Sequence, residues 1–139
     1  MSKLLFDTNF IVAYILELDE SHERAIYLED HKNIFDNERY ITNHIIDEIV
    51  TIIGQKSNPH NALMVYRFLK DNFSILNEYE IFDFNDCVMN QYKNLNKPSK
   101  QKLGFTDCSI IEFARLSNMD AIVTFDKEFK NNGQIRIIS

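Results

Sequence analysis

Cysteine is scarce in this chain. Cys87 and Cys108 are the only two, and neither stands in a CxxC or Cys/His ligand spacing, so a zinc site or a disulfide scaffold has no support. Reduced thiols in a cytosolic protein are the default reading, and a cytoplasmic location is expected. Positive charge is also short: 15 Lys and Arg against 21 Asp and Glu give a net charge of −6, which excludes a broad basic surface that grips nucleic acid. No apolar run is long enough to span a membrane. Leu4–Leu16 is apolar, but Asp7 and Asn9 interrupt it and no small-residue cleavage site follows, so it does not read as a signal peptide. Repeats and low-complexity tracts are missing too, and His22, His31, His44 and His60 lack ligand spacing; only His44 falls near a candidate site helix.

What remains is the composition of one ordinary domain. The 139 residues, with 45% apolar and 26% charged, read as one unit spanning 1–139 with a proper core. Short apolar runs at 3–7, 39–42, 74–76, 121–124 and 134–138 predict strands. Helical spacing between them predicts helices from residue 8, from Ser21 to about His31, from Thr42 or Asn43 to Gly54, from Asn58-Pro59, from Asp83 or Asn85 to Lys97-Pro98, and from Thr106 or Asp107. Strands alternating with helices imply an α/β fold, with a parallel sheet covered on both faces.

Three aspartates are predicted to stand where an apolar strand gives way to a helix: Asp7, Asp107 and Asp126. Each alone is explained by capping, because an aspartate at a helix start accepts the free backbone N–H groups. Thr8 and Thr106 offer to cap instead, which would free the aspartates to face a ligand. Glu48 flanks the stripe formed by Ile45, Ile49 and Ile52, and a carboxylate at such an edge needs a partner or a route to water. Carboxylates about 4 Å apart repel by roughly 4 kcal/mol near a protein surface, so a tight cluster must take up protons or a cation. The strand ends of a doubly wound sheet crowd together where ligands bind, so the acids point to a hard-cation site and phosphate chemistry.

The segments Leu4–Ile15 (LLFDTNFIVAYI), Gly104–Ala114 (GFTDCSIIEFA) and Ile122–Phe129 (IVTFDKEF), with the Glu48 helix between the first two, resemble the PIN-domain ribonucleases. Within these the chain is most similar to the VapC-like toxins of type II toxin–antitoxin pairs. The resemblance implies a PIN-like three-layer α/β/α sandwich with a central, mainly parallel sheet. It implies that Asp7, Glu48, Asp107 and Asp126 are catalytic ligands of Mg²⁺ or Mn²⁺, supported by Thr8, Asn9, Thr106 and Thr124. It further implies an RNA substrate, a cognate antitoxin and a homodimer, with no membrane partner. Asn9, at the position where a haloacid-dehalogenase-type phosphatase needs a second aspartate, weakens that competitor. Two other readings stand beside the toxin: an RNA-processing nuclease outside a toxin pair, and a non-catalytic PIN-like binding or scaffold module. Lys97, Lys100 and Lys102 are expected either to follow an RNA backbone or to form a solvated loop.

Overall fold

The computed structural model of the protein describes residues 1–97 and 102–139. Five parallel strands, β1 (Lys3–Phe6), β2 (Glu38–Thr42), β3 (Ser74–Leu76), β4 (Ala121–Val123) and β5 (Arg136–Ile138), form one sheet in the order β3-β2-β1-β4-β5. Successive residues of a strand point to opposite faces, and Ala121, Ile122 and Val123 are all fully buried. The sheet centre is therefore covered on both sides, which is why these strands read as unbroken apolar runs. The coverings are six helices: α1 (Thr8–Ile15), α2 (His22–Lys32), α3 (Asn43–Lys56), α4 (Pro59–Asn72), α5 (Phe84–Leu95) and α6 (Phe105–Leu116).

Strand order and chain order diverge at the middle of the sheet. From β1 the chain builds outward to β2 and β3, then returns through α5 and α6 to lay β4 on the other side of β1. The carboxyl ends of β1 and β4 thus flank a switch point, where connections leave in opposite directions and open a crevice. Asp7 follows β1, and Thr124 to Asp126 follow β4, so the topology alone brings these residues together.

Local chemistry fixes most helix starts. Thr42 Oγ1 accepts from Ile45 N at 3.3 Å, and Asn58 Oδ1 accepts from Asn61 N at 2.8 Å with Pro59 in the first helical position. Three expectations are corrected. Gly54 does not end α3; the helix continues to Lys56, and a methyl group at residue 54 would rest in ordinary contact 3.7 Å from Ala62 Cβ. Asp107 does not follow a described strand: it is the third residue of α6, and the described element before α6 is the helix α5. Thr8 and Thr106 do not cap, because each is already inside its helix; Asp7 and Gly104 occupy the capping positions.

Behind the switch point lies a run of aromatic rings. Phe6 packs on Phe73 at 5.2 Å between centroids and on Phe10 at 5.6 Å, and Phe10 in turn meets Phe125 at 5.5 Å. Such pairs contribute about 0.5–1.5 kcal/mol each beyond their buried area. They anchor α1 and the segment after β4 to the same core.

Candidate metal-binding active site

A cleft of about 530 Å³ opens at the switch point, and Asp7, Glu48, Asp107 and Asp126 all line it. Asp7 is its floor. Only 8% exposed, it caps α1, with Oδ1 accepting from Thr8 N at 2.7 Å and Oδ2 accepting from the Thr124 hydroxyl at 2.8 Å. Its own backbone N–H donates to Val123 O at 2.9 Å, which ties the end of β1 to the end of β4. Thr124, fully buried, also accepts from Asn9 Nδ2 at 3.1 Å and from Asp126 N at 3.1 Å. Asn9 Oδ1 accepts from Phe125 N at 2.9 Å. Asn9 and Thr124 lock two strand ends and one carboxylate into a single arrangement.

The other acids come from helix starts and a helix middle. Asp107 Oδ2 accepts from Gly104 N at 3.2 Å, closing the first turn of α6. Asp126 caps a 3₁₀ turn, Lys127–Asn131, by accepting from Glu128 N at 2.9 Å. Glu48 projects from mid-α3, half-exposed, with Oε1 held by His44 Nε2 at 2.9 Å. Ile52 and Lys56, one and two turns further on, line the cleft from the same helix face.

Glu128 was not anticipated from the sequence. Its carboxylate, with those of Asp107 and Asp126, offers oxygens that all lie within 4.8 Å of one another. The signal that could have found it is the Asp-x-Glu spacing after a strand end: a tight turn capped by Asp126 brings residue 128 back beside its cap. Thr106, by contrast, is exposed and lines a smaller neighbouring cavity, not the acidic cleft. Neither Lys97 nor Lys102 lines the cleft, and Lys100 lies outside the described residues.

The electrostatics are those of acids without enough counter-charge. Burial lifts the Asp7 carboxyl from its ordinary 3.8 to about 6, and the charges of Glu48 and Asp107 push the same way against the hydrogen bonds from Thr124 and Thr8. Asp107 is also raised, first by burial and then by Asp126, Glu128 and Glu48. Among the described residues, Lys56 is the one cation lining the cleft, whose rim adds Asp19 and Glu20. The Thr8 hydroxyl lines the same cleft and is buried with no hydrogen-bond partner. An all-oxygen donor set, excess negative charge and an orphaned hydroxyl fit a hard divalent cation such as Mg²⁺ or Mn²⁺, not a soft metal.

A parallel α/β sheet with a carboxylate-lined crevice at its switch point defines the class. More narrowly, the PIN domain family model matches residues 4–134, and the chain belongs to that family. No curated protein matches it in sequence. Its α/β/α fold is shared with Mycobacterium tuberculosis VapC20, a sarcin-ricin loop cleaving toxin, at TM-score 0.73 and 17% identity over 98% of this chain and 99% of that one. A DNA-bound VapBC structure from Salmonella typhimurium gives 0.71 and 18% over 99% and 98%, and FitAcB from Neisseria gonorrhoeae gives 0.72 and 16% over 98% and 96%.

Proposed function

We propose that this chain is a Mg²⁺- or Mn²⁺-dependent endoribonuclease, acting as a single PIN unit and as the toxin of a toxin–antitoxin pair. The observation that carries the reading is the convergence of Asp7, Glu48, Asp107 and Asp126 on one switch-point cleft, with Glu128 beside Asp107 and Asp126. Asp7 and Asp107 would be the principal metal-holding groups, with Glu48, Asp126 and Glu128 completing the anionic wall. A divalent cation bound there supplies polarisation of a phosphoryl oxygen, activation of water and stabilisation of the leaving oxygen. Asn9 and Thr124 hold Asp7 in place, so its oxygens need no rearrangement when charge arrives. Lys56 gives the incoming phosphate a favourable charge on the α3 wall.

Burying Asp7 costs the metal-free fold stability, and carboxylates raised by burial in a cleft cluster at catalytic sites, which favours an enzyme over a scaffold module. The toxin role draws on the likeness to VapC20, a sarcin-ricin loop cleaving toxin, and to the DNA-bound VapBC and FitAcB structures. The cytoplasmic homodimer follows the same likeness, and no described helix is long and apolar enough to cross a membrane. RNA cleavage should require Mg²⁺ or Mn²⁺ and stop with EDTA. Undiminished cleavage by both Asp7→Asn and Asp107→Asn, with folding checked by circular dichroism, would overturn the site. Growth arrest on expression, relieved by the product of an adjacent small gene, tests the toxin role; its absence would leave an RNA-processing nuclease. A monomer at high concentration in analytical ultracentrifugation sinks the dimer.

A further inference from the structure

Beside the acidic cleft lies a smaller cavity of about 60 Å³, walled by the start of α3, the 3₁₀ turn Glu78–Glu80 and the first turns of α5 and α6. Glu78 is 4% exposed. Its Oε1 accepts from His44 N at 3.2 Å, which satisfies one free N–H at the start of α3, but its Oε2 is buried with no hydrogen-bond partner. A buried acceptor left unpaired is costly, and native structures seldom leave one without a donor from water or a ligand. Around it the cavity is aromatic: Phe84 and Phe113 are buried in its wall, while Tyr79 and Phe105 present rings 65% and 42% exposed at its mouth.

These features specify the chemistry of an occupant. A carboxylate accepts hydrogen bonds and repels phosphate, so the buried end must receive N–H or O–H donors and not the RNA backbone. Exposed rings offer stacking area to a flat heterocycle, as single-stranded RNA readers do. The space holds a few waters or the edge of a base, and leaves the rest of the ring against Tyr79 and Phe105. The cavity also adjoins the reaction site by covalent and hydrogen-bonded links: Thr106, in its wall, precedes Asp107, and His44, also in its wall, holds Glu48 at 2.9 Å.

We infer that this cavity is a base-reading subsite, in which Glu78 Oε2 accepts a hydrogen bond from the exocyclic amine of cytosine, adenine or guanine, and uracil is disfavoured. Uracil offers only N3–H, flanked by two carbonyl oxygens that face the carboxylate with like partial charge. This deepens the ribonuclease reading and rests on it for its biological meaning, since a base seated there would fix which phosphodiester reaches the acids.

The test uses cytidine and uridine, which are similar in size, carry no phosphate and so do not probe the acidic cleft. ¹⁵N-labelled protein without added metal is titrated with each, following the His44 backbone amide that donates to Glu78. Cytidine should shift that signal and bind about tenfold tighter than uridine, the worth of one well-made hydrogen bond to a charged acceptor. Glu78→Gln keeps an acceptor for His44 N–H and turns an amide donor toward the cavity, so the cytidine preference should vanish or reverse. A Tyr79→Ala variant, changed only at an exposed ring, should weaken both nucleosides alike. No response, an equal response to both nucleosides, or a preference that survives Glu78→Gln overturns the subsite and assigns Oε2 to a structural water. Sequencing the cut ends of a randomised RNA pool separates the two levels. Cleavage without a cytidine response leaves the nuclease and removes the subsite, whereas a cytidine response without cleavage keeps the pocket and removes the nuclease.

Discussion

The two walls of the acidic cleft are built by different means. The wall at β1 and β4 is made of strand ends: Asp7 is nearly buried, both of its oxygens accept hydrogen bonds, and Thr124 and Asn9 stitch it across the switch point. The wall at α6 and the 3₁₀ turn is made of helix starts: Asp107, Asp126 and Glu128 are half-exposed, and Asp107 and Asp126 each accept one backbone N–H. One wall is preorganised at the cost of desolvating a charge. The other keeps its carboxylates close enough to share a cation but free to adjust. A site of this kind can hold its metal position from the sheet side while the helix side adapts to substrate.

The largest expected effect comes from breaking the rigid wall. Asp7→Asn should lower RNA cleavage by at least about 100-fold, the upper end of what even outer-shell changes at metal sites cost, measured under single-turnover conditions. Asp107→Asn should fall as far if the adaptable wall is equally needed for metal. The same comparison has a pH signature. Because the folded Asp7 carboxyl is raised to about 6 from 3.8, the folded state holds the extra proton between those values. The metal-free fold is then favoured below about pH 4 and loses up to about 3 kcal/mol as pH rises through 6. Urea unfolding across this range should show that decline, Asp7→Asn should flatten it, and Mg²⁺ should recover the loss near neutral pH by binding the folded state.

Asn9→Ala removes the bond to Phe125 N and the support of Thr124, leaving a partly buried N–H unpaired. It should cost about 1–3 kcal/mol in denaturant unfolding and weaken Mg²⁺ by about 10- to 100-fold by calorimetry. Glu128→Gln, on the adaptable wall, should lower metal affinity by about tenfold or less with no loss of stability. His44→Ala is the mildest: it frees Glu48 from a half-exposed contact worth about 0–1 kcal/mol, so cleavage should change by a few-fold at most. If Asn9→Ala proves milder than Glu128→Gln, the contrast between the walls is wrong.

Much of the rigid wall was legible in the sequence, because its signals are local. Apolar runs buried on both faces mark β1 and β4, and Asp7 and Thr124 stand directly beyond them. The adaptable wall was legible only in part. Asp107 was placed after a strand because Gly104-Phe105 mimics a strand end, whereas Phe105 is already helical and 42% exposed. Glu128 was missed because a 3₁₀ turn carries no apolar period, and closeness between residues 107 and 128 depends on where α6 and β4 deliver them. The threonines misled for a related reason: capping depends on backbone position, and a shift of one or two residues moves Thr8 and Thr106 inside their helices. Gly54 reads as a stop, yet α3 runs on through it to Lys56, because a single glycine weakens a helix without ending it.

The aromatic run behind the switch point has an effect beyond packing. Phe6, Phe10, Phe125 and their neighbours form a weakly polarisable slab immediately under the Asp7 wall, so the field of the acids is poorly screened on that side and spreads toward solvent through the cleft mouth. The oily core thus works as a reflector for charge. It raises the local concentration of cations at the opening, and it makes the bare cleft repel phosphates.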